Sequence, residues 1–480
     1  MKNNIGVIGL GVMGKSLALN IIDKGYKVAG YNRSPEKTRK IIKENIPNFD
    51  GYENIKDFVS SLQLPRKIIL MVPAGKPVDD LIEKISQYLD SGDILMDCGN
   101  SFFEDTNRSY EQLAEKNIHF FGIGVSGGEK GALHGPCIMP SGDKKAYSQI
   151  KEILESIAAK KGTDPCCTYI GEKGSGHYVK MVHNGIEYAD MQLLAETYLI
   201  LKYAGNYSNK EISDIFIKWQ NTEVKSYLVQ ITASILKEKD PQSGSDLIDM
   251  ILDVAGNKGT GRWTSIESLK QEFNASMLVT AYQARIMSGQ NELRTTFNTH
   301  FENTPAKIDL QKIFEAYRLA KTLAFLQGFE LYKDASKKYG WNLNLQNIAS
   351  IFRAGCIIQA HLLQEIMDVC STYNNSCETT AKMADDCNVA YENTPHLLLA
   401  EKFNNRFTQD IQALKYTTIL SLQQDLPTPL FTSALIFANQ IRFPHLGANI
   451  IQAQRDFFGA HTYIRTDTGV SEHHIWSENE

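Results

Sequence analysis

Residues 1 to about 172 alternate short apolar runs with segments whose apolar residues recur at helical spacing. Helical spacing is clear at residues 15–23 and 35–44. The apolar runs that predict strands span residues 5–10, 28–31, 67–72, 93–97, 119–125 and 167–170. Because strands that alternate with helices usually pair in parallel, this part of the chain predicts a doubly wound α/β sheet.

After Gly176 the pattern changes, and long segments carry apolar residues three and four positions apart. These segments span residues 178–203, 226–238, 310–337 and 408–424. From about Ile441 the composition becomes irregular and then polar. We therefore expect an α/β domain over residues 1–175, an all-helical domain over residues 176–440 and a tail over residues 441–480.

The composition indicates a folded protein with more than one domain. The chain has 480 residues, which is longer than a single hydrophobic core usually stabilises. Of these residues, 42% are hydrophobic and 22% are charged. The net charge of −5 argues against a nucleic-acid partner, and no apolar run is long enough to predict a membrane span. A strand-like run begins at Ile5, so we expect no signal peptide. The eight cysteines form no C-x-x-C pair, which predicts reduced thiols in a cytoplasmic protein.

A glycine-rich fingerprint follows the first predicted strand and precedes a helical segment. It consists of Gly9, Leu10, Gly11, Val12, Met13 and Gly14. In this pattern the first glycine permits a tight turn, the second lets a pyrophosphate approach the backbone, and the third lets the helix pack closely. The helix N-terminus adds N–H groups and a partial positive charge. A turn without a ligand is the simpler alternative, but strand, glycines and helix in register favour a dinucleotide site of the Rossmann type.

Asn32, Arg33 and Ser34 follow the second predicted strand, about 20 residues beyond the fingerprint. NAD sites usually have an acidic residue there, which binds the ribose 2′-hydroxyl. An amide, a guanidinium and a hydroxyl suit a 2′-phosphate instead, and a guanidinium can also stack on adenine. The predicted cofactor is therefore NADP, and the alternative is that Arg33 is an ordinary surface residue.

Further cofactor contacts are expected after the next two predicted strands, because ligands bind beyond the carboxyl ends of such sheets. Val72 ends one of these strands and Ala74 follows it, and Asn100 follows the other strand. Asn100 is placed to contact both ribose and substrate, although an asparagine after a glycine is often only a turn residue.

The helical segment that opens the second domain carries four polar residues of different chemistry. They are Lys180, His183, Asn184 and Glu187. Their spacing of i, i+3, i+4 and i+7 puts them on one helical face. A solvated face with a lysine–glutamate pair is the ordinary explanation, but such a face usually contains more lysine and glutamate. The histidine and the asparagine favour a catalytic face.

Two glycine-containing loops have groups that could bind an anion. Ser126, Gly127 and Gly128 follow the fifth predicted strand and offer a hydroxyl and backbone N–H groups, with a flexible turn as the alternative. A basic loop over residues 255–264 also suits a phosphate, but it lacks the spacing of a P-loop.

Taken in chain order, these runs resemble the 6-phosphogluconate dehydrogenase family. The matching runs span residues 9–14 with 32–33, 99–101, 125–129, 180–188, 258–260, 284–285 and 454–461. The resemblance implies oxidative decarboxylation of 6-phosphogluconate to ribulose 5-phosphate and CO2, a step of the pentose phosphate pathway, with hydride transfer to NADP and without a metal. It implies that Lys180 is the general base that takes the proton of the C3 hydroxyl of the substrate. It also implies that Glu187 is the acid that protonates the carbon that becomes C1 of ribulose 5-phosphate.

The resemblance also implies a substrate site that two subunits share. The residues implied at the sugar-acid end are Ser126, Gly127, Gly128, His183 and Asn184. The residues implied at the phosphate are Tyr188, Lys258, Thr260, Arg285, Arg455 and His461. In the family, the residues that match Arg455 and His461 come from the tail of the other subunit, so a homodimer is expected.

The sequence departs from the family pattern at several positions. Gly11 stands where the family usually has alanine, Pro73 where it has lysine, Ser34 where it has threonine and Cys137 where it has serine. These differences bear on cofactor preference more than on the type of reaction.

Two other functions compete with this interpretation. A β-hydroxyacid dehydrogenase of the 3-hydroxyisobutyrate type would share the nucleotide domain and a catalytic lysine, but it resembles only the earlier part of the chain. A non-catalytic NADP-binding protein would retain the fold, but the presence of both Lys180 and Glu187 disfavours it.

Overall fold

A computed structural model of the chain describes residues 2–256, 259–297, 305–380 and 394–476, with the backbone alone at 374–380. The strands are β1 Ile5–Ile8, β2 Val28–Tyr31, β3 Phe49–Tyr52, β4 Lys67–Leu70, β5 Ile94–Asp97, β6 His119–Ser126, β7 Cys137–Gly142, β8 Lys160–Lys161, β9 Asp164–Pro165, β10 Tyr463–Ile464 and β11 Ser471–Glu472. The helices of the N-terminal part are α1 Val12–Asp23, α2 Pro35–Ile42, α3 Ile55–Ser60, α4 Lys76–Ser86, α5 Phe103–Ala114, α6 Gly128–His134 and α7 Lys144–Ile157. The later helices are α8 Ser175–Leu199, α9 Asn209–Trp219, α10 Tyr227–Ile235, α11 Thr260–Lys270, α12 Ser276–Ser288, α13 Asn291–Thr296, α14 Leu310–Tyr339, α15 Leu345–Ile351, α16 Leu362–Thr380, α17 Glu401–Gln423, α18 Pro429–Arg442 and α19 Ala448–Gly459.

The N-terminal sheet has seven strands in the order β3-β2-β1-β4-β5-β6-β7. Neighbours from β3 to β6 are parallel, and β7 runs antiparallel to β6. Strands β1, β2 and β5 are buried along their whole length, as expected for parallel strands covered by helices on both faces. The predicted Rossmann-type domain is confirmed. Its topology puts the carboxyl ends of β1, β2, β4 and β5 at one edge, where ligands of such sheets bind.

Two strands of this sheet, β3 and β7, were not predicted from the sequence, and one predicted strand does not form. β3 was missed because it is half-buried and mixes polar and apolar residues, and β7 because it contains a proline. The strand predicted over residues 167–170 is instead an extended segment beside β7, with an isolated bridge between Cys167 and Ile138. Pro140 of β7 has no N–H to donate, so a continuous ladder between the two segments cannot form.

Helix α8 lies at the centre of the molecule and joins the sheet to the helical body. It packs against α11, α12 and α14 and also against β6 and β7. Every residue from Ser175 to Ala189 except Glu187 is therefore buried. The polar residues of α8 are held inside the protein, so the solvated-face explanation is wrong. None of the described helices is both long and apolar enough to cross a membrane.

The tail follows α18 and consists of α19 and the β10–β11 hairpin. Most of its side chains are exposed, including the apolar residues Ile450 at 61% and Phe458 at 72%. Clusters of exposed apolar side chains are typical of surfaces that another molecule covers.

Candidate active site

The glycine fingerprint lies where β1 turns into α1. Gly9 has φ 97°, which favours glycine, and a Cβ there would lie 2.2 Å from the carbonyl oxygen of Met71. A Cβ at Gly14 would lie 1.8 Å from the carbonyl oxygen of Gly9, so the helix packs directly on the turn. A Cβ at Gly11, in contrast, would meet no described atom within 4 Å. The turn therefore leaves space beside the N-terminus of α1, as a bound pyrophosphate requires.

Asn32 connects this turn to the end of β2. Its side-chain oxygen accepts a hydrogen bond of 3.0 Å from the N–H of Leu10, and its amide donates to the carbonyl oxygen of Ser34 at 3.2 Å. Asn32 is buried, whereas Arg33 and Ser34 are exposed. The amide thus orients the loop, while a guanidinium and a hydroxyl are exposed at the cofactor edge.

The remaining residues predicted to bind the cofactor lie at the same edge. Val12 and Met13 form the first turn of α1, and Val72 and Ala74 follow β4. Asn100 is exposed just after β5. The topology of the sheet therefore collects these residues from separate parts of the chain.

Lys180 lies at the centre of a buried hydrogen-bond network. Its Nζ donates to Asn184 Oδ1 at 2.8 Å and lies 3.4 Å from His183 Nδ1. The Nδ2 of Asn184 donates to Thr260 Oγ1 at 2.8 Å, and His183 Nε2 lies 3.2 Å from Ser126 Oγ. The structure therefore brings predicted residues from α8, β6 and α11 together around one lysine.

Burial changes the acid–base properties of this network. It lowers the pKa of Lys180 below that of an ordinary lysine, although the carboxylate of Glu187 opposes the shift. It lowers the pKa of His183 well below its usual range, and the charge of Lys180 acts in the same direction. Glu187 has a side chain 20% exposed, with its Oε2 3.8 Å from His183 Nδ1. The lysine can therefore act as a base at a lower pH than an exposed lysine could.

The close packing of α8 on β6 depends on Gly124, which the sequence analysis did not single out. A Cβ at Gly124 would lie 2.7 Å from Lys180 Cβ and 2.9 Å from the carbonyl oxygen of Gly176. Ser126 follows two residues later on the same face of β6, and Gly127 connects it to α6, which begins at Gly128. A signal was present, because a glycine inside a strand indicates close approach of another backbone.

Groups suited to a phosphate lie at the other side of the network. Thr260 is buried in the first turn of α11, and Tyr188 is buried on α8. The Cζ of Arg285 lies 3.7 Å from the centroid of the Tyr188 ring, so the guanidinium stacks on an aromatic face. Lys258, which was predicted here as well, lies outside the described residues.

Both parts of the chain match models of one protein family. The model for the NAD binding domain of 6-phosphogluconate dehydrogenase matches residues 4–171, and the model for the 6-phosphogluconate dehydrogenase C-terminal domain matches residues 176–476. The chain belongs to the 6-phosphogluconate dehydrogenase family. The match over residues 176–476 favours this family over the β-hydroxyacid dehydrogenase alternative raised by the sequence.

Relatives within the 6-phosphogluconate dehydrogenase family match the chain along its whole length. The chain is 43% identical to the NAD(+)-dependent decarboxylating enzyme of Bacillus subtilis over 100% of both chains. It is 44% identical to the NADP(+)-dependent decarboxylating enzyme of the same organism over 99% of both. A Plasmodium falciparum 6-phosphogluconate dehydrogenase, solved as apo form and in complexes with NADP+ and with 6-phosphogluconate, superposes with a TM-score of 0.90 at 38% identity, covering 98% of this chain and 100% of that one. Overall identity to the two Bacillus enzymes is nearly equal, so it does not distinguish NAD from NADP as the cofactor.

The two tail residues predicted at the phosphate make their contacts within the tail. Arg455 Nη1 donates to Gln452 Oε1 at 3.0 Å. The His461 ring contacts that of Phe458, with centroids 5.9 Å apart. Both Arg455 and His461 are exposed. The described part of a single chain therefore forms the Lys180 network without bringing these two side chains into it.

Proposed function

We propose that the chain oxidises and decarboxylates 6-phosphogluconate to ribulose 5-phosphate and CO2, with NADP as hydride acceptor. The observation that carries the proposal is the buried network of Lys180, Asn184, His183 and Ser126, which can present a desolvated lysine to a substrate hydroxyl. The names of the Bacillus subtilis relatives, both decarboxylating 6-phosphogluconate dehydrogenases, support the same reaction.

Lys180 and Glu187 carry the proton transfers in this proposal. Neutral Lys180, favoured by its lowered pKa, takes the proton of the C3 hydroxyl. NADP, when bound, supplies the acceptor for the hydride from C3. The C1–C2 bond then breaks to release CO2, and protonated Lys180 stabilises the negative charge that develops on the C3 oxygen. Glu187, which is more exposed, protonates the carbon that becomes C1 of the product.

The other residues of the site would hold the two ends of the substrate. At the sugar-acid end we place Asn100, Ser126, Gly127, Gly128, His183 and Asn184. At the phosphate we place Tyr188, Lys258, Thr260 and Arg285 of the same chain. Because Arg285 is stacked on Tyr188, its guanidinium plane is fixed before a phosphate binds, and such a plane can bind two phosphate oxygens at once.

We infer a preference for NADP over NAD from the end of β2. Arg33 and Ser34 are exposed there, and Asn32 occupies the place where an acidic residue would bind the ribose of NAD. The turn from Gly9 to Gly14 has space for the pyrophosphate, so the residues present fit this cofactor. Replacing Arg33 with alanine should raise KM for NADP much more than KM for NAD, because only NADP has the 2′-phosphate. Equal changes in the two constants would contradict the assignment.

We also infer a homodimer in which the tail of one subunit completes the site of the other. Arg455 and His461 are exposed, and apolar side chains of the same tail, such as Ile450 and Phe458, are uncovered. A second subunit that covered this tail would bury apolar surface and gain two groups able to bind a phosphate.

Mixing two defective variants tests the shared site. In a hybrid dimer of Lys180→Met and Arg455→Ala subunits, one site contains both Lys180 and a tail with Arg455. Subunit exchange should therefore produce activity at low substrate concentration that neither parent shows. Confirmed hybrid dimers without this activity would contradict the shared site, and each variant mixed with itself is the control.

Initial rates with three substrates test the reaction itself. We expect turnover of 6-phosphogluconate, faster with NADP than with NAD, and little turnover of gluconate or 3-hydroxyisobutyrate. Preferred oxidation of an unphosphorylated acid would contradict the proposed substrate. A preference for NAD would contradict only the cofactor assignment.

The domain division and location also remain proposals. We divide the chain into a nucleotide domain over residues 1–175, a helical domain over residues 176–440 and a tail over residues 441–480. A cytoplasmic location is supported by the six cysteines whose side chains the structure describes, all of which are free and buried.

A further inference from the structure

Asp456 is the one buried residue in the tail segment 441–476, which the structure describes throughout. Its carboxylate accepts four hydrogen bonds of 2.9–3.0 Å, from the N–H groups of Thr462 and His474, the Nδ1 of His473 and the Nε1 of Trp476. Burial alone would raise the pKa of this carboxyl, but the donated hydrogen bonds outweigh burial and hold the pKa below its usual range. The only buried side chain of the tail segment 441–476 is therefore ionised, and the segment is organised around it.

These bonds hold an unusual backbone on either side of His461. Ala460 has φ 50° and Thr462 has φ 58°, a left-handed conformation that is uncommon outside glycine and a clear outlier for a β-branched residue. Such conformations persist where the surroundings impose them. At Thr462 both backbone groups are held, because its N–H donates to Asp456 and its carbonyl oxygen accepts from Gln452 Nε2.

The same set of contacts reaches Arg455. Gln452 binds the carbonyl oxygen of Thr462 through its nitrogen and accepts a hydrogen bond from Arg455 Nη1 through its oxygen. The β10–β11 hairpin reverses the chain and returns residues 473–476 to Asp456, where they close the arrangement. Gln452 of α19 therefore links the Arg455 guanidinium to the backbone next to His461. Asp456 links the same backbone to the end of the hairpin.

We propose that Asp456 is a positioning residue that sets Arg455 and His461 for binding the phosphate of a substrate held by the partner subunit. The inference rests on the proposed function, in which these two side chains bind that phosphate. A tail that already has its bound conformation loses less conformational freedom on binding than a flexible tail, so it binds the phosphate more tightly. Residues 473–476 would then contribute to affinity without touching the substrate.

Asp456→Asn in the full chain tests this role. Asparagine keeps the size of the side chain, but its NH2 group cannot accept the hydrogen bonds of His474 and Trp476. We expect KM for 6-phosphogluconate to rise about tenfold, the effect of losing hydrogen bonds to a charged group, with kcat and KM for NADP little changed. Asp467→Asn is the matched control, because Asp467 lies exposed in the same hairpin and binds Arg465 there. An unchanged KM for 6-phosphogluconate in Asp456→Asn would contradict the inference.

A second variant separates positioning from general damage to the tail. Glycine adopts a left-handed backbone without a side-chain penalty, so adding Ala460→Gly to Asp456→Asn should recover part of the lost affinity for substrate. A double variant no better than Asp456→Asn would contradict positioning through this backbone. His461→Ala distinguishes a failure of the proposed phosphate site from a failure of the positioning role of Asp456. If it leaves KM for 6-phosphogluconate unchanged, the proposed phosphate site fails, whereas a raised KM with a normal Asp456→Asn variant overturns only the inference.

Discussion

Gly124→Ala should displace helix α8, which carries Lys180, and slow turnover without unfolding the protein. The added methyl carbon would lie 2.7 Å from Lys180 Cβ and 2.9 Å from the carbonyl oxygen of Gly176. Carbon atoms in contact are normally about 3.5–4.0 Å apart, so Lys180 has to move by about 1 Å. Overpacking of this kind costs about 1–3 kcal/mol of folding free energy. A misplacement of about 1 Å at a reacting group lowers the rate by about 10²-fold.

Steady-state kinetics with 6-phosphogluconate and NADP, together with thermal unfolding, would measure both effects. We expect kcat to fall by about 10²-fold while KM for NADP stays near the wild-type value. Gly131→Ala is the matched control, since it lies in the adjacent helix α6, where a Cβ would be 3.7 Å from the carbonyl oxygen of Ser126. It should retain full activity. A Gly124→Ala variant with more than half of the wild-type kcat would refute the view that this contact positions Lys180.

Three further predictions concern charge. If Lys180 is the general base, kcat/KM should fall as pH is lowered through the pKa of Lys180. Because burial lowers that pKa, the midpoint of the fall should lie below 10.5, the value of an ordinary lysine. A pH–rate profile in which kcat/KM shows no such fall below pH 10.5 would contradict the role of Lys180 as the base. Arg285→Ala should cost about 2–4 kcal/mol in substrate binding and raise KM for 6-phosphogluconate far more than KM for NADP, and equal increases would count against a phosphate contact. Burial raises the pKa of Glu196 from 4.5 to about 7, so its contribution to folding is present at low pH and is lost as pH rises from 4.5 through about 7. Melting curves of Glu196→Gln should show a flatter dependence of Tm on pH across that window, and an unchanged slope would contradict the burial argument.

Local patterns predicted the features that depend on nearby residues. The fingerprint at Gly9–Gly14 combines a strand, three glycines and a helix within one short run, so it could be found without a structure. The shared face of Lys180 and Asn184 follows from helical spacing alone. Their burial does not, because it results from the packing of β6, β7 and three helices around α8.

Features that depend on distant pairing could not be predicted in this way. β7 pairs with β6 through a run that contains Pro140, which weakens any strand signal. Asn32 was expected to suit a phosphate, but its amide binds Leu10 across a turn that only the sheet topology creates. Asp456 looks like an ordinary helical residue until the hairpin returns Trp476 to it. In each case the partner belongs to a different element of the fold, so the spacing of residues within one helix or strand carries no record of the contact.

The most direct test of the proposed reaction uses 6-phosphogluconate labelled with carbon-13 at C1, with NADP as cofactor. Absorbance would follow NADPH, and NMR would follow the label in the same sample. We expect the label to appear in CO2 and bicarbonate in an amount equal to the NADPH formed, with ribulose 5-phosphate as the other product. NADPH formation with the label retained in a sugar acid would contradict decarboxylation at this site.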